Sequence, residues 1–362
     1  MRGETTRQVR MLAITPDALV PQGHPNRQIK PVVDRALEEL SPLFEQIYAR
    51  VGRPSIPPEH LLKAQLLMAL FSIPSARRFC DQLQYNMLFK WFLDLNVDDP
   101  PFHASTFSKN QERLLSQDVA RRFLLQLLEE AQRQGLLSSD HFTVDGTLLD
   151  AWASMKSVRP SGGGEPPQAG RNPDVDYRGQ RRTNETHRST TDPDARLARK
   201  GDGQPARLCF AGHVLMEHRS GLAVDVQITR AQGAPEWEVA LKMLGRLSGR
   251  GRKTVAGDRA YDTRAFVAGC RARGITPHVA QYPTTQRRKS AIDGRTTRHR
   301  GYRQSQRVRK RVEEIFGWWK TVGGGRKLRF IGLRRNQCWA ELAVAAYNLV
   351  RIAHLTSRPA PA

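Results

Sequence analysis

Between Tyr282 and Val312 the chain carries eleven Lys or Arg residues against one acid, Asp293, and directly behind that run stand two glutamates, Glu313 and Glu314. So many like charges cannot enter a core unpaired, so any fold must lay this stretch along a surface. There it is suited to meeting a polyanion. A glutamate that follows it on a helix is placed to hold a divalent metal against a phosphate that the arginines bring in. On such a helix Arg309 stands one turn before Glu313 and Lys320 two turns after it, so both cations can face one groove and grip phosphate. Arg295, Arg298, Arg303, Arg307, Lys310 and Arg311 extend the DNA-binding face. Glu314 is the neighbouring alternative acid. Trp318 and Trp319 read as packing residues, with stacking on an unpaired base as the second reading.

The whole chain shares this bias. Its 362 residues hold 58 Lys and Arg against 35 Asp and Glu, a formal net charge of +23. The excess is not confined to a tail or to one amphipathic helix, which favours nucleic acid over a membrane surface as partner. The length suits one large domain or two ordinary ones. Cys80, Cys209, Cys270 and Cys338 are scattered singly, which excludes a disulfide scaffold and a zinc ribbon and predicts reduced thiols in a cytosolic protein. The first residues lack the apolar region of a signal peptide, and no apolar stretch approaches the ~20 residues that span a bilayer. The expectation is a cytoplasmic protein without a membrane partner.

Two periods divide the chain. After a tail at 1–28, residues 29–138 read as helical. Val33 to Val51 form one apolar stripe, Pro57 and Pro58 open a second helix, and Ser75 caps a third running through Phe79, Leu83, Leu88 and Trp91. Ser105 to Leu115 and Val119 to Leu128 follow, and the polar face of Ser105 to Arg113 is a candidate recognition helix. From His141 the pattern alternates as in strands. Phe142 to Thr147 predicts a strand, Arg207 to Met216 and Leu222 to Thr229 a hairpin, and Thr254 to Gly257 and Thr276 to Ala280 two more strands, with helices from Pro235 and over 264–273. Residues 156–204, rich in Gly, Pro, Arg, Asp, Ser and Thr with Gly162 to Pro167 at the tip, predict a long loop or disordered insertion. A closing apolar helix over 341–355 leaves a tail at 356–362. The order predicts an α/β fold with a mixed sheet.

Three acids stand at element ends: Asp145, Asp258 and Glu313. Separated by 113 and 55 residues, they can meet only through the tertiary fold, at the crevice where strands of an α/β sheet end. Carboxylate oxygens select Mg²⁺ or Mn²⁺, and two such ions held between them would support phosphodiester hydrolysis and strand transfer. An aspartate after a strand is also a common turn or N-cap residue, so spacing alone leaves both readings open. His213, His278 and His299 read as structural or phosphate-contacting. Asp150, Asp192 and Asp262 read as surface residues, with a supporting role at the site as the alternative.

Asp145-Gly-Thr-Leu-Leu-Asp-Ala-Trp-Ala-Ser followed by Lys156-Ser resembles the first catalytic block of DDE transposases of bacterial insertion sequences, in particular the insertion sequence five group, related to the insertion sequence four superfamily. Val255-Ala-Gly-Asp-Arg-Ala-Tyr-Asp is similar to the second block, with Asp258 as its aspartate. The third block of the group runs tyrosine, two residues, arginine, three residues, glutamate, six residues, lysine. Arg309, Glu313 and Lys320 fit its last three terms, while Gln306 stands where the tyrosine belongs. Further similarity runs through Thr190 to Arg196, Pro277 to Ala280, Ile292 to His299 and Ala345 to Val350. The resemblance implies a ribonuclease H-like catalytic domain over 139–355, interrupted by the insertion at 156–204 and preceded by an all-helical DNA-binding domain over 29–138. It implies Asp145, Asp258 and Glu313 as catalytic residues and metal ligands for two Mg²⁺ ions, with Mn²⁺ able to substitute. It implies binding of double-stranded DNA at terminal inverted repeats and at a target, a homodimer or larger synaptic complex, and a place at the bacterial nucleoid. The competing readings are a nuclease of the same fold without a joining step, and an inactive DNA-binding relic.

Overall fold

The computed structural model describes residues 13–48, 55–116, 118–161, 182–201, 203–249, 251–282 and 289–357. Up to Asp140 the described chain is helical, with α1 (Pro16–Leu19), α2 (Asn26–Glu38), α3 (Ser41–Ile47), α4 (Pro58–Leu70), α5 (Ala76–Leu83), α6 (Met87–Phe92), α7 (Ala104–Ser116) and α8 (Val119–Arg133). The stripe from Val33 onward is two helices, because Pro42 has no N–H to continue the ladder and instead takes the first turn of α3. The stretch after Ser75 also divides. Ser75 Oγ accepts the Arg78 N–H at 3.3 Å and starts α5, and Asn86 Oδ1 accepts the Phe89 N–H at 3.2 Å and starts α6.

A six-stranded mixed sheet follows. Its long central members are β1 (His141–Asp150) and β5 (Arg207–Glu217), paired antiparallel over nine positions, with β6 (Ala223–Arg230) and β4 (Arg196–Ala198) sharing the far edge of β5. On the other side of β1 lie β7 (Lys253–Gly257) and then β8 (Ile275–Val279), both parallel. Between these strands come α9 (Glu236–Leu244) and α10 (Arg264–Ala272). The last part is helical: α11 (Gly294–Thr297), α12 (Arg300–Val308), a 3₁₀ turn at Arg309–Arg311, α13 (Val312–Thr321) and α14 (Leu333–Thr356).

The expected structureless insertion is a correction. Within 156–204, β2 (Val158–Pro160) pairs antiparallel with β3 (His187–Ser189), and β4 joins the main sheet. Strands of three residues are too short to leave a readable alternation in so polar a composition. The tip at Gly162 to Pro167 lies outside the described residues.

The 24-residue helix α14 packs against α2, α4 and α8 as well as β6, so one hydrophobic core runs from the N-terminal helices into the sheet. Ala340, Ala343, Ala345 and Ala346, all buried, let its neighbours approach closely. Asn348, fully buried, fixes its position along β6: its Nδ2 donates to the Ala223 carbonyl at 2.8 Å and its Oδ1 accepts the Ala223 N–H at 2.9 Å. A second tie is ionic. Buried Asp225 on β6 accepts Arg121 of α8 at 2.6 Å and Arg246 at 3.2 Å. Among the described residues no helix is long and apolar enough to cross a membrane.

Asn348→Leu would keep the volume while leaving two buried backbone groups of β6 without partners. The expected loss of stability is on the order of 3 kcal/mol, read as a lower urea midpoint with the slope unchanged.

Candidate active site

The parallel register of β1 with β7 decides where the acids meet. His141, Phe142 and Thr143 face Thr254, Val255 and Ala256, an offset of 113 residues, and that same offset separates Asp145 from Asp258. The two aspartates therefore lie side by side where β7 gives out. Asp145 remains within β1 as it pairs with β5, opposite Val214. Its Oδ1 accepts the Gly146 N–H at 2.8 Å. Asp258 caps the 3₁₀ turn Arg259–Tyr261, its Oδ1 accepting the Ala260 N–H at 2.8 Å, so the turn reading of this aspartate is also correct. Each of these bonds engages one carboxylate oxygen and leaves its second oxygen outside that contact.

Glu313 reaches the same place from the first turn of α13, where it is exposed. The Asp145 carboxyl is pushed up to about 6, first by burial, then by the like charges of Asp258 and Glu313, against the opposing pull of the Gly146 N–H and the Arg309 guanidinium. The three acids and Arg309 therefore stand within electrostatic reach of one another. Arg309 has its Nε buried without a hydrogen-bond partner. Lys320 Nζ donates to Thr147 Oγ1 at 2.7 Å, two residues along β1 from Asp145 and on the same side of the strand. Burial, with help from Lys200, holds its ammonium below the usual lysine range.

The rest of the basic run divides by exposure. Arg295, Arg298, Arg303, Arg307 and Lys310 are exposed on α11, α12 and the turn behind it. Arg311 instead turns inward, its Nη1 donating to the His218 carbonyl at 2.6 Å and the Arg219 carbonyl at 2.9 Å, so it braces the β5–β6 turn. Gln306 Nε2 donates to the His278 carbonyl at the end of β8, and one turn earlier the Tyr302 hydroxyl donates to the Val279 carbonyl at 3.0 Å.

The histidines behave as structural groups. His278 Nδ1 bonds Ser305 Oγ at 2.7 Å, and His299 Nδ1 caps α12 by accepting the Gly301 N–H at 3.1 Å. Burial lowers His213 and His278 to about 4. The surface reading of Asp192 and Asp262 is wrong, since both are fully buried. Asp192 accepts the N–H groups of Asp194 and Gly332, and Asp262 those of Tyr282 at 3.1 Å and Ala291 at 2.7 Å. Their loop positions gave no sign that backbone amides would converge on them. Asp150 takes a weaker, half-exposed contact from Arg207 at 3.3 Å. Trp319 is fully buried against Phe316 and Trp339, and Trp318 packs edge-on to Tyr347, so both are packing residues.

Sequence reasoning passed over Glu236. It stands on the first turn of α9, and an ideal Cβ at Gly146 would lie 3.2 Å from its Oε1. Surrounding protein raises its carboxyl above the usual range, and the charges of Asp258 and Asp145 add to the effect. Only the gap left by a glycine beside Asp145 hinted at an incoming side chain.

As they stand, no three acids, histidines or cysteines among the described residues are close enough to enclose a metal ion. The donor chemistry nevertheless fits a hard divalent cation. The fold brings like charges to one strand end, and a cation there would offset both the burial and the lesser like-charge repulsion that raise the Asp145 carboxyl.

Acids gathered at a strand end under an arginine-rich surface define a class of enzymes that act on phosphodiesters. Residues 182–349 match the family model described as a transposase DDE domain, and residues 15–113 match a transposase domain model designated DUF772. The chain is a DDE transposase, an enzyme of DNA transposition, and its family generally uses divalent metal ions. No curated protein matches it in sequence. Among solved structures it is similar to a piggyBac transposase synaptic complex with hairpin DNA, at 9% identity and TM-score 0.43, covering 93% of this chain and 77% of that one. It is also similar to a Mos1 transposase paired-end complex with left transposon end, at 11% identity and TM-score 0.21, covering 86% of this chain and 100% of that one.

The raised Asp145 carboxyl has a signed consequence for stability. Its folded pKa of about 6 lies above the ordinary value, so the fold favours the protonated acid, and stability is lost as pH rises from about 4 through 6. Asp145→Asn is expected to stabilise the metal-free protein at pH 8 by on the order of 1 to 3 kcal/mol, read as a higher thermal midpoint, and to change it little at pH 4.

Proposed function

We propose that the chain is the transposase of a bacterial insertion sequence of the insertion sequence five group, with a ribonuclease H-like catalytic domain and a helical DNA-binding domain. It cuts DNA at the terminal inverted repeats of its element and joins the freed end to a target. The observation that carries the catalytic assignment is the 113-residue offset shared by the strand pairing and the two aspartates. The sheet order and the helices between its parallel strands support the fold assignment.

In this reading Asp145, Asp258 and Glu313 hold two Mg²⁺ ions, with Mn²⁺ able to substitute. Bound there, the ions supply an activated water or hydroxyl and stabilise the leaving oxygen. The chain's own residues do the remaining work. Arg309 and Lys320 hold the phosphate flanking the scissile bond, since Arg309, in the turn before α13, acts on Asp145 and Lys320 of α13 bonds Thr147 two residues along β1 from it. Arg295, Arg298, Arg303, Arg307 and Lys310 track the DNA backbone leading to it. Hydrolysis forms a P–O bond from water and breaks the P–O bond to the 3′-oxygen, which takes up a proton, leaving a 5′-phosphate and a free 3′-hydroxyl. That hydroxyl then attacks a target phosphodiester, forming one P–O bond and breaking another while its proton passes to solvent. Joining requires two element ends, so the working form is a dimer or larger synaptic complex. Gln306 takes the backbone contact at β8 that its position offers and leaves the acids undisturbed.

Labelled duplex carrying the element's end, incubated with Mg²⁺ or EDTA, tests this reading. Wild-type protein is expected to give metal-dependent cleavage and strand-transfer products, while Asp258→Ala and Glu313→Ala bind the duplex and give neither. Cleavage without joining identifies the nuclease reading, and product formation by Asp258→Ala would sink the catalytic assignment.

The exposed arginines act through phosphate neutralisation. Arg303→Ala and Arg307→Ala are each expected to weaken binding across DNA sequences and to shallow the log K against log salt slope by about 0.9, as measured by fluorescence anisotropy.

A further inference from the structure

We propose that Glu236 is a fourth acidic residue of the cation-binding centre, brought to Asp145 and Asp258 from the opposite side of the sheet to Glu313. This rests on the assignment of the first two acids given above. The geometry begins with Gly146. On a strand, successive side chains point to opposite faces, so Asp145 and Thr147 look towards Lys320 and α13 while position 146 looks towards α9. Glycine leaves that second face empty, and the Glu236 carboxyl moves into the gap: an added Cβ would meet Glu236 Oε1 at 3.2 Å and Cδ at 3.3 Å. The two aspartates are thus flanked by one glutamate from α13 and another from α9.

An independent observation points to a ligand at this spot. His213, opposite Gly146 on β5, is 1% exposed, and its Nδ1 has no hydrogen-bond partner. That nitrogen lies 3.4 Å from the same added Cβ, beside the Glu236 carboxyl, while its Nε2 is engaged by Thr229 Oγ1 at 3.0 Å. Tyr261, packed against Gly257 at the end of β7, is fully buried with an unpartnered hydroxyl, which feels the charges of Glu236, Asp145 and Asp258. Buried polar groups are seldom left unmatched, and two of them facing one set of acids mark a place built for something further. A hard divalent cation with its waters would match both: the carboxylate oxygens would hold it, a ligated water would donate to His213 Nδ1, and the Tyr261 hydroxyl would donate to a carboxylate drawn in by the ion. The acids are now spaced too widely for three to enclose an ion. Glu236 sits on a first helical turn of α9 with three rotatable side-chain bonds, so in this proposal closing that spacing falls to its side chain rather than to the sheet.

Mn²⁺ titrated into the full-length protein, with free ion followed by electron paramagnetic resonance, tests the proposal apart from catalysis. Glu236→Gln is expected to weaken one bound ion at least tenfold. Gly146→Ala, which fills the gap without altering any acid, is expected to weaken the same ion and stands in if Glu236→Gln does not fold. Asp258→Ala is the reference arm. Loss of binding in Asp258→Ala with wild-type binding in a folded Glu236→Gln overturns the role of Glu236 alone. Wild-type protein that takes up no Mn²⁺, or undiminished binding in both variants, overturns this proposal together with the reading of the site on which it rests.

Discussion

Everything that concentrates charge in this molecule depends on the parallel pairing of β1 with β7. Three backbone pairs between His141 and Ala256 are enough to put Asp145 next to Asp258, because a ladder has no freedom to offset one strand without breaking its hydrogen bonds. A slip of one residue would turn Asp258 away from its neighbour and towards the other face. The pairing is protected on both flanks. Antiparallel β5 holds β1 over nine positions, and β8 holds β7 over five. Repulsion between half-buried carboxylates is thus set against the rigidity of a sheet whose edges lie elsewhere, and the sheet prevails.

The second constraint is α14. A helix that touches the N-terminal helices on one side and β6 on the other makes the two halves of the chain a single packed body. Asn348 fixes its height and Asp225 ties α8 to β6, so polar contacts set the register of an otherwise alanine-rich and permissive surface. Whatever the N-terminal helices bind, their orientation to the acids passes through this helix.

Much of this was legible in the sequence, for identifiable reasons. The hairpin, the strands before Asp258 and Val279, and the helices over 236–244 and 264–272 carry clear alternation or apolar stripes, and their bounds agree to within a few residues with those expected. The acids at element ends follow from the element pattern, whereas the bond of Lys320 to Thr147 and the 3₁₀ turn that carries Arg309 do not follow from helical spacing. Helix breaks at Pro42 and Asn86 were missed because the apolar stripes continue across them. The strands at 158–160, 187–189 and 196–198 were hidden in polar composition. Asp192 and Asp262 were misread because burial of a loop aspartate depends on amides that arrive from residues far along the chain. Glu236 was invisible for a related reason: its neighbours across the sheet are Gly146 and His213, and nothing local marks that meeting.

Asp262 gives the basic segment a fixed point of attachment. Four residues beyond Asp258, it accepts the backbone N–H groups of Tyr282 and Ala291, near the start of that segment. The stretch that attracts polyanion and the turn that carries the second aspartate are therefore one mechanical piece, hinged on a single buried carboxylate.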